Sequence, residues 1–243
     1  MDDSYKVGLA KTISEWWRQN RAQRGFRATL LRIVVELWGF LRDSTPEQRR
    51  RRYGDVEFDW DHRVDTTSAT VGWRERLLGV FHSPYQPTDP ALFHEMLGGL
   101  KIEFNDFTFI DLGSGKGRTL LMASDYPFRR IVGVELLPEL NNVARENLRK
   151  YASEKQKCFA LESICGDAQE FEFPTEATVL YLFNPLPEAG LERVIGRLGR
   201  SLAEHPRKVI VLYHNPLHAE ILARSTSLTR TGGTHQYVVY ESR

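Results

Sequence analysis

The sequence predicts an α/β fold: a doubly wound, mostly parallel seven-strand sheet with a terminal antiparallel hairpin, preceded by a helical extension. Three observations predict it. From about residue 107, apolar runs of strand length alternate with amphipathic stretches of helix length. A glycine-rich loop, Gly113 to Gly117, joins the first strand of that series to its first helix. The closing stretch TSLTRTGGTHQYVVYE reads as two short β runs turning about Gly232-Gly233. Strands that alternate with helices imply parallel pairing covered on both faces, and the hairpin adds antiparallel strands.

Three parts follow in order along the chain: a basic, aromatic-rich helical extension over 1–65, a connecting segment and helix over 66–106, and the α/β body over 107–243. Arginine is dense from Arg18 to Arg52, ending in Arg49-Arg50-Arg51-Arg52. Within the extension, Phe26 to Leu41 is apolar nearly all round, broken by Arg27, Arg32 and Glu36. That is shorter than the roughly 20 residues a membrane span needs. Three readings stand side by side. It is a helix packed on the main domain, or a membrane-surface helix aided by Trp16, Trp17 and Trp38, or part of a nucleic-acid contact made by arginines on phosphates. In the connecting segment, Thr88 or Asp89 is a candidate N-cap, Pro90 suits a first helical turn, and Gly98-Gly99 end that helix.

In the body, FTFID is the first strand and GRTLLMASD a short helix. RIVGVE is the second strand, and PELNNVARENLRKY a helix with Leu140, Ala144, Leu148 and Tyr151 on one face. CFALESIC reads as the third strand and ATVLYLF as the fourth. PEAGLERVIGRLGRSL is a helix with Leu191, Val194, Ile195, Leu198 and Leu202 along its stripe, and KVIVLYH is the fifth strand. Two strand ends carry the same signal: YLFNPLP at Tyr181 to Pro187 and LYHNPLH at Leu212 to His218.

Composition excludes several classes. With 41% hydrophobic and 27% charged residues, the chain is neither disordered nor fibrous. A net charge of +1 gives no field that marks the whole molecule as a nucleic-acid binder. Cys158 and Cys165 are too few for a metal cluster, and seven positions apart on a strand they would face opposite sides. His214 and His218 are joined by no third ligand at metal spacing, so no metal is expected. Met1 is followed by Asp-Asp rather than a basic start and apolar run. A cytoplasmic setting is expected, peripheral to the membrane if the surface-helix reading holds.

The loop IDLGSGKGRTLL decides the ligand class. A P-loop needs Lys followed by Ser or Thr, and here Gly117 follows Lys116. A dinucleotide fingerprint needs glycine at the sixth position, where Arg118 stands, so that reading is weakened. Asp111 at the strand end is a poor neighbour for pyrophosphate and a good one for a cationic group. Lys116 is read as facing solvent or capping the loop.

Asp-Leu-Gly-Ser-Gly-Lys-Gly resembles the first motif of the class I, Rossmann-like S-adenosylmethionine-dependent methyltransferases, over residues 85 to 241. The resemblance implies a methylation enzyme, a transferase with S-adenosyl-L-methionine as cofactor. It places Asp111, Gly113, Ser114, Gly115 and Gly117 at the cofactor. Glu135, followed by Leu136, would hold the ribose hydroxyls, and Asp167 with Ala168 would read the adenine; an N-cap role is the alternative for Asp167. Tyr85-Gln86-Pro87-Thr88 resembles the segment that, in some small lysine-directed members, folds over the methionine end, so Tyr85 and Thr88 join the site; a plain proline-rich entry to the helix is the alternative.

Asn184 would emerge beside the transferred methyl, touching acceptor or cofactor, or serving only the turn. Amine-directed members often carry Asn or Asp, Pro-Pro and an aromatic here. This chain has Asn184-Pro185-Leu186-Pro187, which lacks the second adjacent proline and the aromatic and argues against a flipped nucleobase. His214 is a candidate general base or a structural histidine. A nitrogen acceptor is favoured, a protein lysine among the candidates, while an O-directed small-molecule enzyme, an RNA-directed enzyme and a non-catalytic cofactor-binding module of the same fold stay open as alternatives.

Overall fold

A computed structural model describes residues 56–67 and 86–243, together with the isolated helical positions Trp17, Arg18, Arg21 and Phe26. The chain divides into two compact units, Met1–Asp61 with Thr67–Pro87, and His62–Thr66 with Thr88–Arg243. In the first, helix α1 (Val56–His62, its last residue already in the second unit) carries Asp59, whose Oδ2 accepts from the Thr67 backbone N–H at 2.9 Å. Trp17 and Phe26 meet edge to face at 5.8 Å. The Phe26–Leu41 helix and the Arg49–Arg52 run otherwise lie outside the described residues. No helix among the described residues is long and apolar enough to cross a membrane.

The second unit is the predicted α/β body. Its strands are β1 (Thr108–Leu112), β2 (Arg130–Glu135), β3 (Leu161–Cys165), β4 (Thr178–Phe183), β5 (Val209–His214), β6 (Leu228–Gly233) and β7 (Tyr237–Ser242). They form one seven-stranded sheet in the order β3-β2-β1-β4-β5-β7-β6. Every pair from β3 to β5 is parallel, and β7 runs antiparallel to both β5 and β6. The order reverses between β1 and β4, where such sheets open a crevice at their carboxyl ends.

Among the described residues, five helices cover this sheet: α2 (Pro90–Gly98), α3 (Arg118–Ala123), α4 (Pro138–Lys150), α5 (Glu188–Glu204) and α6 (Ala219–Ala223). Asp89 caps α2, its carboxylate accepting from Leu92 N–H at 2.9 Å, with Pro90 in the first turn. The period-2 alternation of the strands sorts two cores. On one side Ile110, Leu112, Val132, Val134, Leu180, Leu182, Val209 and Val211 pack on the α5 stripe Leu191, Val194, Ile195, Leu198 and Leu202. On the other, Phe93 of α2 meets Phe109 and Tyr181 edge to face at 5.9 and 5.6 Å. Each fully buried aliphatic side chain stabilises the fold by about 1.5–3 kcal/mol.

Four local expectations are corrected. The third strand starts at Leu161, not Cys158, because the N–H groups of Lys157 and Cys158 bond to Ser124 O in the loop after α3. Both cysteines are free. Gly232-Gly233 are not the hairpin turn but the end of β6, beside a bulge between Arg230 and Gly232. The buried face of α4 is partly polar: Asn141 and Asn147 are buried with Leu140 and Ala144, while Leu148 is half-buried. Finally, Lys116 does not face solvent; it is 2% exposed.

Candidate active site

The crevice is built from chain turns that leave β1, β2 and β4. Gly113, Gly115 and Gly117 all take positive φ, at 87°, 53° and 84°. This left-handed backbone folds the loop sharply from β1 into α3. At Gly113 there is a second constraint, because an added Cβ would lie 2.6 Å from Pro185 Cβ. The β1 and β4 turns therefore touch through a missing side chain. Gly113→Ala combines left-handed strain of roughly 1–2 kcal/mol with that clash, and a thermal melt should show a clear loss of stability. A melt within a degree of wild type would mean that the two turns are not packed as described.

Two buried acids lie at the carboxyl ends of β1 and β2. Asp111, in β1, accepts a hydrogen bond from the Thr119 hydroxyl of α3. Burial, reinforced by the Glu135 carboxylate and opposed by Thr119, pushes its pKa up to about 7. Glu135, the last residue of β2, spends its oxygens on backbone donors: Gly115 N–H on Oε2 and Leu137 N–H on Oε1, each at 2.8 Å. Its pKa is also raised, by burial, with those N–H groups pulling the other way. Glu135 thus both fixes the glycine loop and keeps lone pairs for a ligand hydroxyl. Ser114 and Gly115 are buried in the loop, Gly113 is exposed, and Leu136 is half-buried beside Glu135.

Asp167 follows β3 and caps the short 3-10 turn Ala168–Glu170, accepting from Gln169 N–H at 2.8 Å. This is the capping role named above as the alternative, and it orients the carboxylate without using all its lone pairs. Ala168 is buried beneath it. Tyr85 lies outside the described residues. Thr88 is buried, and its Oγ1 bonds the Tyr181 hydroxyl at 2.9 Å.

The two Asn-Pro-Leu turns stand side by side, since Phe183 pairs with His214 across β4 and β5. Asn184 and Asn215 both adopt left-handed backbone, φ 43° and 48°, which asparagine tolerates better than most residues. Their surroundings differ. Asn215 is exposed. Asn184 is half-buried, and its Oδ1 accepts from the Tyr213 hydroxyl at 3.0 Å. Tyr213 oxygen in turn accepts from His218 N–H at 3.3 Å, so the carboxamide is held in one orientation.

His214 is buried. Its Nδ1 meets the Tyr181 hydroxyl at 2.7 Å, and its ring stacks on Phe183 with centroids 3.9 Å apart. Burial lowers its pKa to about 4, against a smaller opposing pull from Asp89. It is therefore neutral at pH 7, and a chain Thr88–Tyr181–His214 links the α2 entry to β4 and β5.

Sequence reasoning missed Thr119, Tyr181, Tyr213 and Pro185, which shape the site without being its obvious chemistry. The strand runs carried a signal: Tyr181 and Tyr213 each break an aliphatic run just before an Asn-Pro-Leu turn. Among the described residues no group of three or more His, Cys, Asp or Glu could hold a metal ion.

A family model described as a methyltransferase domain matches residues 110–184. No curated protein matches the chain at a significant level. Among solved structures, an RNA methyltransferase from Salinibacter ruber in complex with S-adenosyl-L-homocysteine shares 26% identity, covering 65% of this chain and 92% of its own, with a TM-score of 0.44. A predicted N6-adenine-specific DNA methylase from Listeria monocytogenes shares 13%, covering 65% and 51%, with a TM-score of 0.47. A precorrin-6y C5,15-methyltransferase from Geobacter metallireducens shares 16%, covering 65% and 89%, with a TM-score of 0.46. The methyltransferase-domain match runs from the middle of β1 to the Asn184 turn, across the reversal of strand order and both buried acids, and the α/β unit of this chain has the Rossmann-like fold of the class I S-adenosylmethionine-dependent methyltransferases.

Proposed function

We propose that the chain is an S-adenosylmethionine-dependent methyltransferase that moves a methyl group by in-line displacement to a nitrogen, a protein lysine being the first acceptor to test. In this reading 107–243 bind the cofactor and carry the chemistry, 66–106 lead into them, and 1–65 are an appended helical segment. The observation that carries the reading is the pair of buried acids at the ends of β1 and β2. Burial raises the cost of ionising both Asp111 and Glu135, and the Glu135 carboxylate adds to that cost at Asp111, which a cationic ligand placed between loop and strand ends relieves and a pyrophosphate worsens.

The donor set fits. When bound, S-adenosylmethionine supplies a methyl group on a positively charged sulfur. Asp111 suits its ammonium, Glu135 and Leu136 the ribose, Asp167 and Ala168 the adenine, and the N–H groups of the glycine loop the remaining polar edge. Thr88 lines the methionine end, with Tyr85 assigned there from sequence alone. On the acceptor side, Asn184 offers a lone pair of Oδ1 left over from the Tyr213 bond, which can hold an amine N–H and so aim its nitrogen. Positioning of this kind is worth on the order of 7–11 kcal/mol when complete.

His214 is assigned to the wall of this pocket rather than to proton removal. A ring whose pKa is about 4 is a weak base for an amine, and its Nδ1 is already engaged by Tyr181. The amine then has to arrive neutral.

Calorimetry tests the cofactor reading directly. S-adenosylmethionine and S-adenosyl-L-homocysteine should bind, NAD should not, and Glu135→Ala should weaken binding at least tenfold, since it removes both the ribose acceptor and the tie on Gly115. Binding of NAD alone would sink the reading. Incubating cell lysate with radiolabelled cofactor, then sorting label into protein, RNA and small molecules, decides the acceptor. Label in RNA would transfer the role to the Arg49–Arg52 run; cofactor binding with no label in any fraction would make the chain a non-catalytic binding module.

A further inference from the structure

We propose that residues His62–Thr66 act as a strap that positions the glycine loop, with Asp65 and Lys116 as positioning residues for cofactor binding. The inference rests on the reading of that loop as the cofactor site. Lys116 lies between two glycines of positive φ, in a loop with little side-chain bulk of its own to hold it. It is nevertheless 2% exposed, and its Nζ donates to Asp65 Oδ1 at 2.8 Å, across 51 positions of sequence.

The same two residues are joined a second time through Asn147 of α4. Asn147 Nδ2 donates to Lys116 O at 3.0 Å and to Asp65 O at 2.8 Å, while its Oδ1 accepts from Asp65 N–H at 2.9 Å. One carboxamide therefore grips the strap backbone on both sides and the loop backbone on the third. Beyond it, Arg118 Nε donates to Thr66 Oγ1 at 2.7 Å, and His62 stacks on Tyr151 at 5.2 Å.

Two of these contacts end on Lys116 itself, at its Nζ and its carbonyl, while the neighbouring Gly115 N–H is held by Glu135. A glycine loop loses more backbone freedom on ordering than any other, so a ligand that must order it binds more weakly. The strap removes that freedom before the ligand arrives. A buried lysine alone would only need some partner; tying it to a backbone that is itself tied to the loop's carbonyl sets the loop's position.

The full-length chain tests this with S-adenosyl-L-homocysteine as probe, read by calorimetry beside thermal melting. Lys116→Met keeps the length and apolar stem while removing the donor that meets Asp65 Oδ1. Its affinity should fall about tenfold, and the double variant with Asp65→Asn should lose less than the sum of the two single losses, because both changes break the shared Lys116–Asp65 contact. A merely structural pair would lower the melting temperature and leave affinity alone; affinity within twofold of wild type overturns the proposal. Should Lys116→Met not fold, Asp65→Asn, which keeps the shape of its side chain, decides by the same two measurements. If the wild-type chain itself fails to bind the probe, it is the cofactor reading that falls, and this inference with it.

Discussion

Asp111→Asn should make the protein more stable at pH 8 and worse at binding S-adenosylmethionine. The carboxyl titrates near 3.8 when unfolded and near 7 when folded. Between those values the folded state keeps a proton that the unfolded state has lost, so this residue's contribution falls as pH rises through that window and is level on either side. At ~1.4 kcal/mol per tenfold change in proton affinity, the ionised carboxylate costs the fold on the order of 4 kcal/mol above pH 7. Asparagine removes the charge, keeps the size and still accepts from the Thr119 hydroxyl. For a domain of this length the gain at pH 8 is on the order of 10 °C in melting temperature, shrinking to near nothing by pH 4. Affinity moves the other way, because the group that would meet the ligand's ammonium is neutralised. In the wild type, affinity should rise with pH between about 5.5 and 7, by up to tenfold per pH unit, and this slope should vanish in the variant. Equal melting shifts at pH 5 and pH 8 would show that Asp111 carries no ionisation penalty.

That expectation shows where sequence reading succeeds and where it stops. An acid at the end of an apolar strand followed by three alternating glycines was legible, because propensity, spacing and periodicity all act within a dozen residues. The α5 stripe and the apolar runs of β4 and β5 were legible for the same reason. Lys116 and Arg118 were not. A charged residue in a polar loop reads as solvated, and among the partners that these two find are Asp65 and Thr66, half a hundred positions upstream. Asn141 and Asn147 fail similarly: the period marks their face, but only the fold supplies Ser163 Oγ and the strap backbone as partners. The hairpin glycines show a third limit. Gly-Gly serves a turn or a bulge equally well, and the register with β7 decides between them.

The twin Asn-Pro-Leu turns were visible as an echo, yet nothing in the letters separates Asn184 from Asn215. The structure separates them by one hydrogen bond, from Tyr213 to Asn184 Oδ1. If that bond aims the carboxamide at the acceptor, Asn184→Gly is the sharpest probe, because glycine keeps the positive φ while deleting the side chain. Cofactor affinity should stay within about threefold, while the rate of label transfer, into whichever lysate fraction the wild type labels, should fall about 100-fold, the usual loss when one pre-aimed polar group is removed. Tyr213→Phe leaves the carboxamide present but unheld and should cost about tenfold in the same assay. Asn184→Ala should lose the rate and also roughly 1–2 kcal/mol of stability, since alanine is strained at φ 43°. Asn215→Gly, at the matching place on β5, should change neither affinity nor rate by more than about twofold, as expected for an exposed side chain. Wild-type turnover by Asn184→Gly would return Asn184 to the role of a turn residue, and equal losses from both glycine variants would show that turn geometry, not the carboxamide, governs the reaction.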